Sequence, residues 1–133
     1  MDLLVTEYLK THTFQQLEDE HGVCARKSSD GSKYSLNYDM IMVKSGDKLA
    51  EQCRGLIVRP WSWLGLVTAG EDWKNHVVGD TTTLAWPMDR FYNHGDAAGA
   101  QIDWSDPALR VLEKLDGTMV ILYRWAQQLI VTA

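Results

Sequence analysis

The sequence predicts an α+β fold, a mostly antiparallel and twisted sheet with helices on one side. Two observations carry this. Helix punctuation is confined to the first 22 residues, and beyond Gly22 the apolar residues fall into short runs separated by turn-forming residues. The balance of 45% hydrophobic and 23% charged residues is that of an ordinary globular domain, and 133 residues suffice for one modest core.

Taken in order, Asp2 is placed to cap a short helix through Leu3, Leu4, Tyr8 and Leu9. Thr13 and Gln16 have the spacing of a capping box, so a second helix starts at Thr13, with Phe14 and Leu17 facing the core and Gly22 as its stop. Val23 to Lys27 and Lys33 to Tyr38 read as two strands joined by the turn Ser28-Ser29-Asp30-Gly31-Ser32. Asp39 to Val43 is apolar after its first residue, and Lys44-Ser45-Gly46-Asp47 breaks that run. Gly55 to Arg59 is a short apolar strand closed by Pro60. Residues 61–79 contain Trp61, Trp63, Leu64, Leu66 and Val67 without a clean period. Thr81 to Trp86 reads as a strand and Asn93 to Asp106 as a loop. Leu109 to Leu115, Thr118 to Trp125 and Leu129 to Thr132 read as three successive strands, the first two joined by a tight turn at Asp116-Gly117. No internal repeat, low-complexity tract or domain linker interrupts the chain. Its last residues, Leu129 to Ala133, read as a strand in mid-course, so residues 1–133 are expected to be the N-terminal portion of a single divided or truncated domain.

The formal charge of −5 and pI near 5.2 argue against a simple basic nucleic-acid module, whose footprint is a strong positive field. A phosphate-binding surface on such a chain is expected to be small and local. Six tryptophans fit core and sheet packing, and also a base-stacking surface. Cys24 and Cys53 form no C-x-x-C pair and no His/Cys cluster, so no metal ligands are assigned and both thiols are expected free in a reducing, cytoplasmic compartment. Neither a signal peptide nor an apolar run of membrane-spanning length is present.

Three local constellations carry chemistry. The first is Glu113-Lys114-Leu115-Asp116-Gly117. A lysine beside a turn between apolar strands becomes a nucleophile if partial burial or a neighbouring cation lowers its pKa. Asp116, two residues on, shares its face in extended geometry, and Gly117 permits close approach of a ligand. A plain hairpin with a solvated lysine fits the same residues. The second is Cys53-Arg54-Gly55 at the head of a strand, where an arginine suits a bidentate phosphate or carboxylate contact. A surface arginine paired with Glu51 fits as well. The third is Trp86-Pro87-Met88-Asp89-Arg90-Phe91-Tyr92-Asn93, whose adjacent aromatics and arginine suit an adenine and its phosphates. A packed strand-to-loop corner is the alternative.

In this order, C-R-G, then P-x-x-R-F-Y-N, then E-K-x-D-G resembles the N-terminal part of the covalent nucleotidyltransferase superfamily, and within it the bacteriophage-type ATP-dependent RNA ligases of tRNA repair. The resemblance spans about Tyr34 to Ala133. It implies a nucleotidyltransferase (ligase adenylylation) domain with Lys114 as the catalytic nucleophile. It also implies Arg54, Arg90, Tyr92, Glu113, Asp116 and Gly117 around the nucleotide. The implied substrates are ATP and RNA ends bearing a 5′-phosphate and a 3′-hydroxyl, with Mg2+ as cofactor. A phage- or virus-encoded origin and a C-terminal partner segment carrying the later motifs are also implied.

Arg90 stands where the family has a lysine and Tyr92 where it has a phenylalanine, which keeps the charge but changes its geometry. Residues 61–79 are longer than the family's connection, and the acidic and lysine-bearing motifs that follow K-x-D-G are not in this chain. A non-catalytic ligase relative that binds nucleotide, RNA or a partner chain is therefore the rival expectation. A DNA ligase or capping guanylyltransferase shares K-x-D-G but not the P-x-x-K-F-F-N segment.

Overall fold

The computed structural model describes residues 2–132. It is a mixed α+β structure built on a four-stranded antiparallel sheet, with a separate two-stranded hairpin. Helix α1, Leu4–Leu9, opens the chain. Leu3, not Asp2, is its N-cap, and no side chain caps it. Leu3 is buried and fixes the entry of the chain, which leaves Asp2 one residue before the cap, with its carboxylate 3.7 Å from the Lys10 ammonium.

Helix α2, Phe14–His21, begins with the expected capping box. The Gln16 N–H donates to Thr13 Oγ1 at 3.0 Å, and the Thr13 N–H donates to Gln16 Oε1 at 2.9 Å. Gly22 ends the helix in the left-handed region, φ +66°. Its N–H donates to the Glu18 carbonyl, and its own carbonyl accepts from the Asp39 N–H at 2.7 Å. A Cβ at Gly22 would stand 2.8 Å from the backbone of Met42 and Val43.

The sheet runs β1 (Val23–Lys27), β2 (Tyr34–Tyr38), β3 (Arg54–Pro60) and β4 (Thr81–Ala85), in sequence order. Alternation along β1 and β2 sorts their side chains. Val23, Ala25, Tyr34 and Leu36 join Leu3, Val5, Leu9, Phe14, Leu17, Leu56 and Val58 in the core, so α1 and α2 cover one face of the sheet. Cys24, Arg26, Ser35 and Asn37 take the alternate positions and lie on the opposite face. The short helix α3, Lys48–Glu51, precedes β3, capped by Asp47, whose carboxylate accepts from the Leu49 and Ala50 N–H groups. The other Asp47 oxygen is 2.7 Å from His21 Nδ1, tying α3 to the end of α2.

Residues 61–79, which show no period in the sequence, hold helix α4 (Trp63–Thr68) and a 3-10 helix (Gly70–Asn75). Each is anchored by one residue: Leu66 is buried, and Trp73 closes an aromatic cluster 5.7 Å from Phe14 and 5.2 Å from Tyr34. Two short elements with single anchors generate no repeat for a periodicity argument to detect. The segment returns to α1 through Val78 and Gly79, whose N–H groups donate to the carbonyls of His12 and Leu9.

The three strands expected after residue 108 resolve into two. Strands β5 (Ile121–Trp125) and β6 (Gln128–Thr132) form an antiparallel hairpin. Its loop residues Ala126 and Gln127 have φ of +50° and +64°, the twist a two-residue hairpin prefers. Leu109 to Leu115 is not a strand, nor is Thr118 to Val120, and Asp116-Gly117 joins no strands. The apolar residues read as strand-forming are solvated, Val111 and Leu112 being more than 80% exposed, and no strand among the described residues offers them a ladder. No helix among the described residues is long and apolar enough to cross a membrane.

Because Gly22 combines a left-handed backbone with backbone atoms in contact range, Gly22→Ala is expected to cost about 1–3 kcal/mol. The urea midpoint read by tryptophan fluorescence measures this. A loss under about 0.5 kcal/mol would contradict the tight α2–β2 corner described here.

Candidate functional site

The site is assembled around a bulge at the head of β3. Asn37 pairs with Arg54 and Leu36 with Leu56, so Gly55 is the extra residue. Its φ of +82° is the conformation such a bulge demands and that glycine adopts without penalty. The missing side chain also leaves room for other segments. A Cβ at Gly55 would lie 2.7 Å from Ile121 Cδ1, 3.3 Å from Met119 Cε and 3.5 Å from Pro87 Cγ. Three stretches of chain far apart in sequence therefore converge on this one backbone position.

The side chains beside it are stacked guanidinium and aromatic groups. The Arg54 guanidinium lies over the Phe91 ring, 4.6 Å from its centroid. Arg90 lies between Tyr38 and Tyr92, at 5.0 and 4.5 Å. These contacts hold planar cations in fixed orientation without neutralising them. The segment is tied down at both ends of this stack. The Arg90 N–H donates to the Glu51 carbonyl at 2.7 Å, and the Tyr92 hydroxyl accepts from the Gly46 N–H at 2.9 Å. Trp86 Nε1 donates to Asp89 Oδ1 at 2.7 Å, which braces the turn before Arg90. Arg90 Nη1 is buried yet has no hydrogen-bond partner. A buried guanidinium nitrogen left over in this way suits an anionic acceptor.

Lys114 completes the group. It lines a cavity of about 300 Å³ together with Tyr38, Arg54, Arg90, Phe91, Tyr92 and Asp96. A second cavity of about 370 Å³ adjoins it, sharing Arg54 and Lys114 and bounded by Leu115, Asp116, Gly117, Thr118 and Met119. Lys114 Nζ is 3.9 Å from Asp116 Oδ1, as expected for side chains two residues apart in extended chain. Lys114 lines these cavities with Arg54, but of the two conditions that would activate its amine, partial burial is not met: its side chain is 72% exposed. The reason is the missing strand, since a lysine in a solvated, unpaired segment has no apolar neighbours to desolvate it. Glu113 lines neither cavity.

Of the residues singled out in the sequence, Arg54, Arg90, Tyr92 and Lys114 thus share one cavity, Asp116 and Gly117 line its neighbour, and Glu113 stands apart. Arg54 does not pair with Glu51; no ion pair of Arg54 occurs among the described residues, and Glu51 Oε2 is 3.3 Å from Lys48 instead. The stacking role of Tyr38 escaped the sequence reading, and so did the bulge at Gly55, although Gly55 belongs to the C-R-G motif read there. Tyr38 ends β2 and reads there as an ordinary strand residue, whereas the bulge has its signal only in a glycine within a strand. Cys53 beside Arg54 is wholly buried, with Sγ donating to the Leu49 carbonyl at 3.6 Å, and burial pushes its thiol far above the usual range. It packs and is not a nucleophile. Both thiols are free, as expected. No group of three His, Cys, Asp or Glu among the described residues is placed to hold a metal ion.

Comparisons of the chain with protein-family models, with characterised proteins and with solved structures returned no match.

If Gly55 sets the approach of the hairpin, Gly55→Ala is expected to cost about 1–3 kcal/mol, and Ile121→Val, which deletes the crowding Cδ1, to cost less in the Gly55→Ala background than alone. A double-mutant cycle by urea unfolding reads a coupling of at least about 0.5 kcal/mol. Strict additivity would mean that Gly55 and Ile121 do not determine each other's position.

Proposed function

We propose that this chain is the N-terminal portion of an ATP-dependent RNA ligase and that Lys114 takes AMP from ATP. The observation that carries the reading is the convergence of Arg54, Arg90, Tyr92 and Lys114 on one cavity, from three separated segments, with a buried guanidinium nitrogen unpartnered. The order of motifs in the sequence supports the same assignment.

In this reading, the neutral Lys114 amine attacks the α-phosphorus of ATP. A P–N bond forms, the P–O bond to pyrophosphate breaks, and the amine releases a proton to solvent. Arg54 and Arg90 stabilise the charge gathering on the phosphate oxygens, held in place by Phe91, Tyr38 and Tyr92. The same aromatic walls offer faces for the adenine. Magnesium, when bound, supplies further neutralisation of the phosphates. Asp116 is the carboxylate beside Lys114 that fits it, consistent with Mg2+ sites that use one or two carboxylates together with substrate oxygens. AMP then passes to an RNA 5′-phosphate, and a 3′-hydroxyl attacks that phosphate, expelling AMP and sealing the strand.

The exposure of Lys114 and the solvated Val111 and Leu112 favour a second reading, a ligase relative that binds nucleotide, RNA or a partner chain without forming the adduct. Incubation with α-labelled ATP and magnesium, followed by a denaturing gel, separates the two. The proposal predicts a labelled band that Lys114→Ala abolishes with the unfolding midpoint unchanged, because a side chain so exposed contributes no packing. Label that persists in Lys114→Ala overturns the assignment of the nucleophile. Absence of label from folded wild-type protein supports the binding reading.

A further inference from the structure

The sheet face opposite α1 and α2 carries a second cationic cleft that the Lys114 site does not use. It lies between the β1–β2 hairpin and the β5–β6 hairpin, has a volume of about 230 Å³, and includes Arg26, Lys27, Lys33, Ser35 and Tyr123 in its lining. Arg26 and Lys33 present cations to it and no carboxylate lines it, in a chain whose formal charge is −5. Arg26 and Lys33 have no ion-pair or side-chain hydrogen-bond partner among the described residues, whereas the Lys27 ammonium is 5.6 Å over Trp73. The acid nearest in sequence, Asp30, is turned into its own loop. One of its oxygens accepts from Ser28 Oγ at 2.7 Å and from the Ser32 N–H and Oγ at 3.0 and 2.8 Å.

Shared lining residues relate the cleft to the Lys114 site through one intervening depression. Arg26 also lines a depression with Cys24, Asn37, Tyr38 and Asp39, whose Oδ1 accepts from the Ile41 N–H at 2.8 Å, and Tyr38 in turn lines the cavity of Arg54, Arg90 and Lys114. The sheet register explains the path: Arg26 pairs with Ser35 and Ser35 with Ile57, and one rung on, Cys24 pairs with Asn37 and Asn37 with Arg54. From strand rise and spacing, the Arg26 and Arg54 Cα atoms are about 12 Å apart.

We propose that Arg26 and Lys33 bind a backbone phosphate of a single-stranded nucleic acid whose end lies at Lys114, with the strand crossing the face by Tyr38. The proposal rests on the ligase reading for the identity of the strand. A chain of separated cations with interposed aromatic rings suits a polyanion of regular charge spacing, and a lone free anion would need only one of them.

The test is fluorescence anisotropy of a labelled, 5′-phosphorylated oligoribonucleotide of about ten nucleotides, across a salt series. The wild-type chain, Arg26→Ala/Lys33→Ala and Arg26→Lys are compared. The double variant is expected to bind about tenfold or more weaker with a salt slope smaller by about 2, Arg26→Lys to retain most of the affinity, and AMP labelling to be the same in all three. Unchanged binding in the double variant, or no binding by the wild type, overturns the proposal. So does equal displacement of the strand by inorganic phosphate, which would mark a free-anion pocket, or by polyglutamate, which would mark a protein partner. Binding that depends on Arg26 without any labelling overturns the ligase reading alone, and labelling without that dependence overturns the strand site alone.

Discussion

Everything at the candidate site depends on how closely other segments can approach the start of β3, and Gly55 sets that distance. A bulge there leaves Arg54 paired with Asn37 and makes Gly55 the extra residue, with no side chain to hold Ile121, Met119 and Pro87 away. The hairpin β5–β6 can then settle near the sheet, which brings Lys114, a few residues before Met119, to the cavity of Arg54. The Pro87 contact does the same for the segment carrying Arg90 and Tyr92. One backbone conformation thus couples the three motifs. A residue with a Cβ at this position would separate them before it disturbed the core.

The two arginines at the site are held by stacking and by backbone hydrogen bonds, whereas Lys114 lies 3.9 Å from the Asp116 carboxylate. Arg54 stacks on Phe91, and Arg90 stacks on both Tyr38 and Tyr92, which restricts how either guanidinium can turn. Such preorganisation is what phosphate transfer requires, because the charge that develops in the transition state meets dipoles and cations already in place. The acids of the helical side, including Glu18 and Glu20, engage Lys74 and Tyr8.

The half of the fold governed by local signals was legible in the sequence. The capping box, the Gly22 stop, strands β1 to β4 and the turn at Asp30 each follow from a few neighbouring residues. The errors come where local preference has no tertiary partner or is outvoted by one. Leu109 to Leu115 has the composition of a strand but no described strand to pair with, and Leu3 displaces Asp2 from the cap by being buried. At the site, the charged and aromatic members could be read from motif order, and Tyr92 and Arg90 do share a cavity with Lys114. The bulge at Gly55 and the stacking role of Tyr38 could not, because both exist only once β2 and β3 are paired.

The most direct test of the account is the location of covalent AMP. The protein would be incubated with ATP and magnesium, digested and mapped by mass spectrometry with acid excluded, since a P–N bond is acid-labile. The account predicts a single AMP adduct on the peptide containing Lys114, lost on brief acid treatment. An adduct on any other lysine, or an acid-stable one, would contradict it.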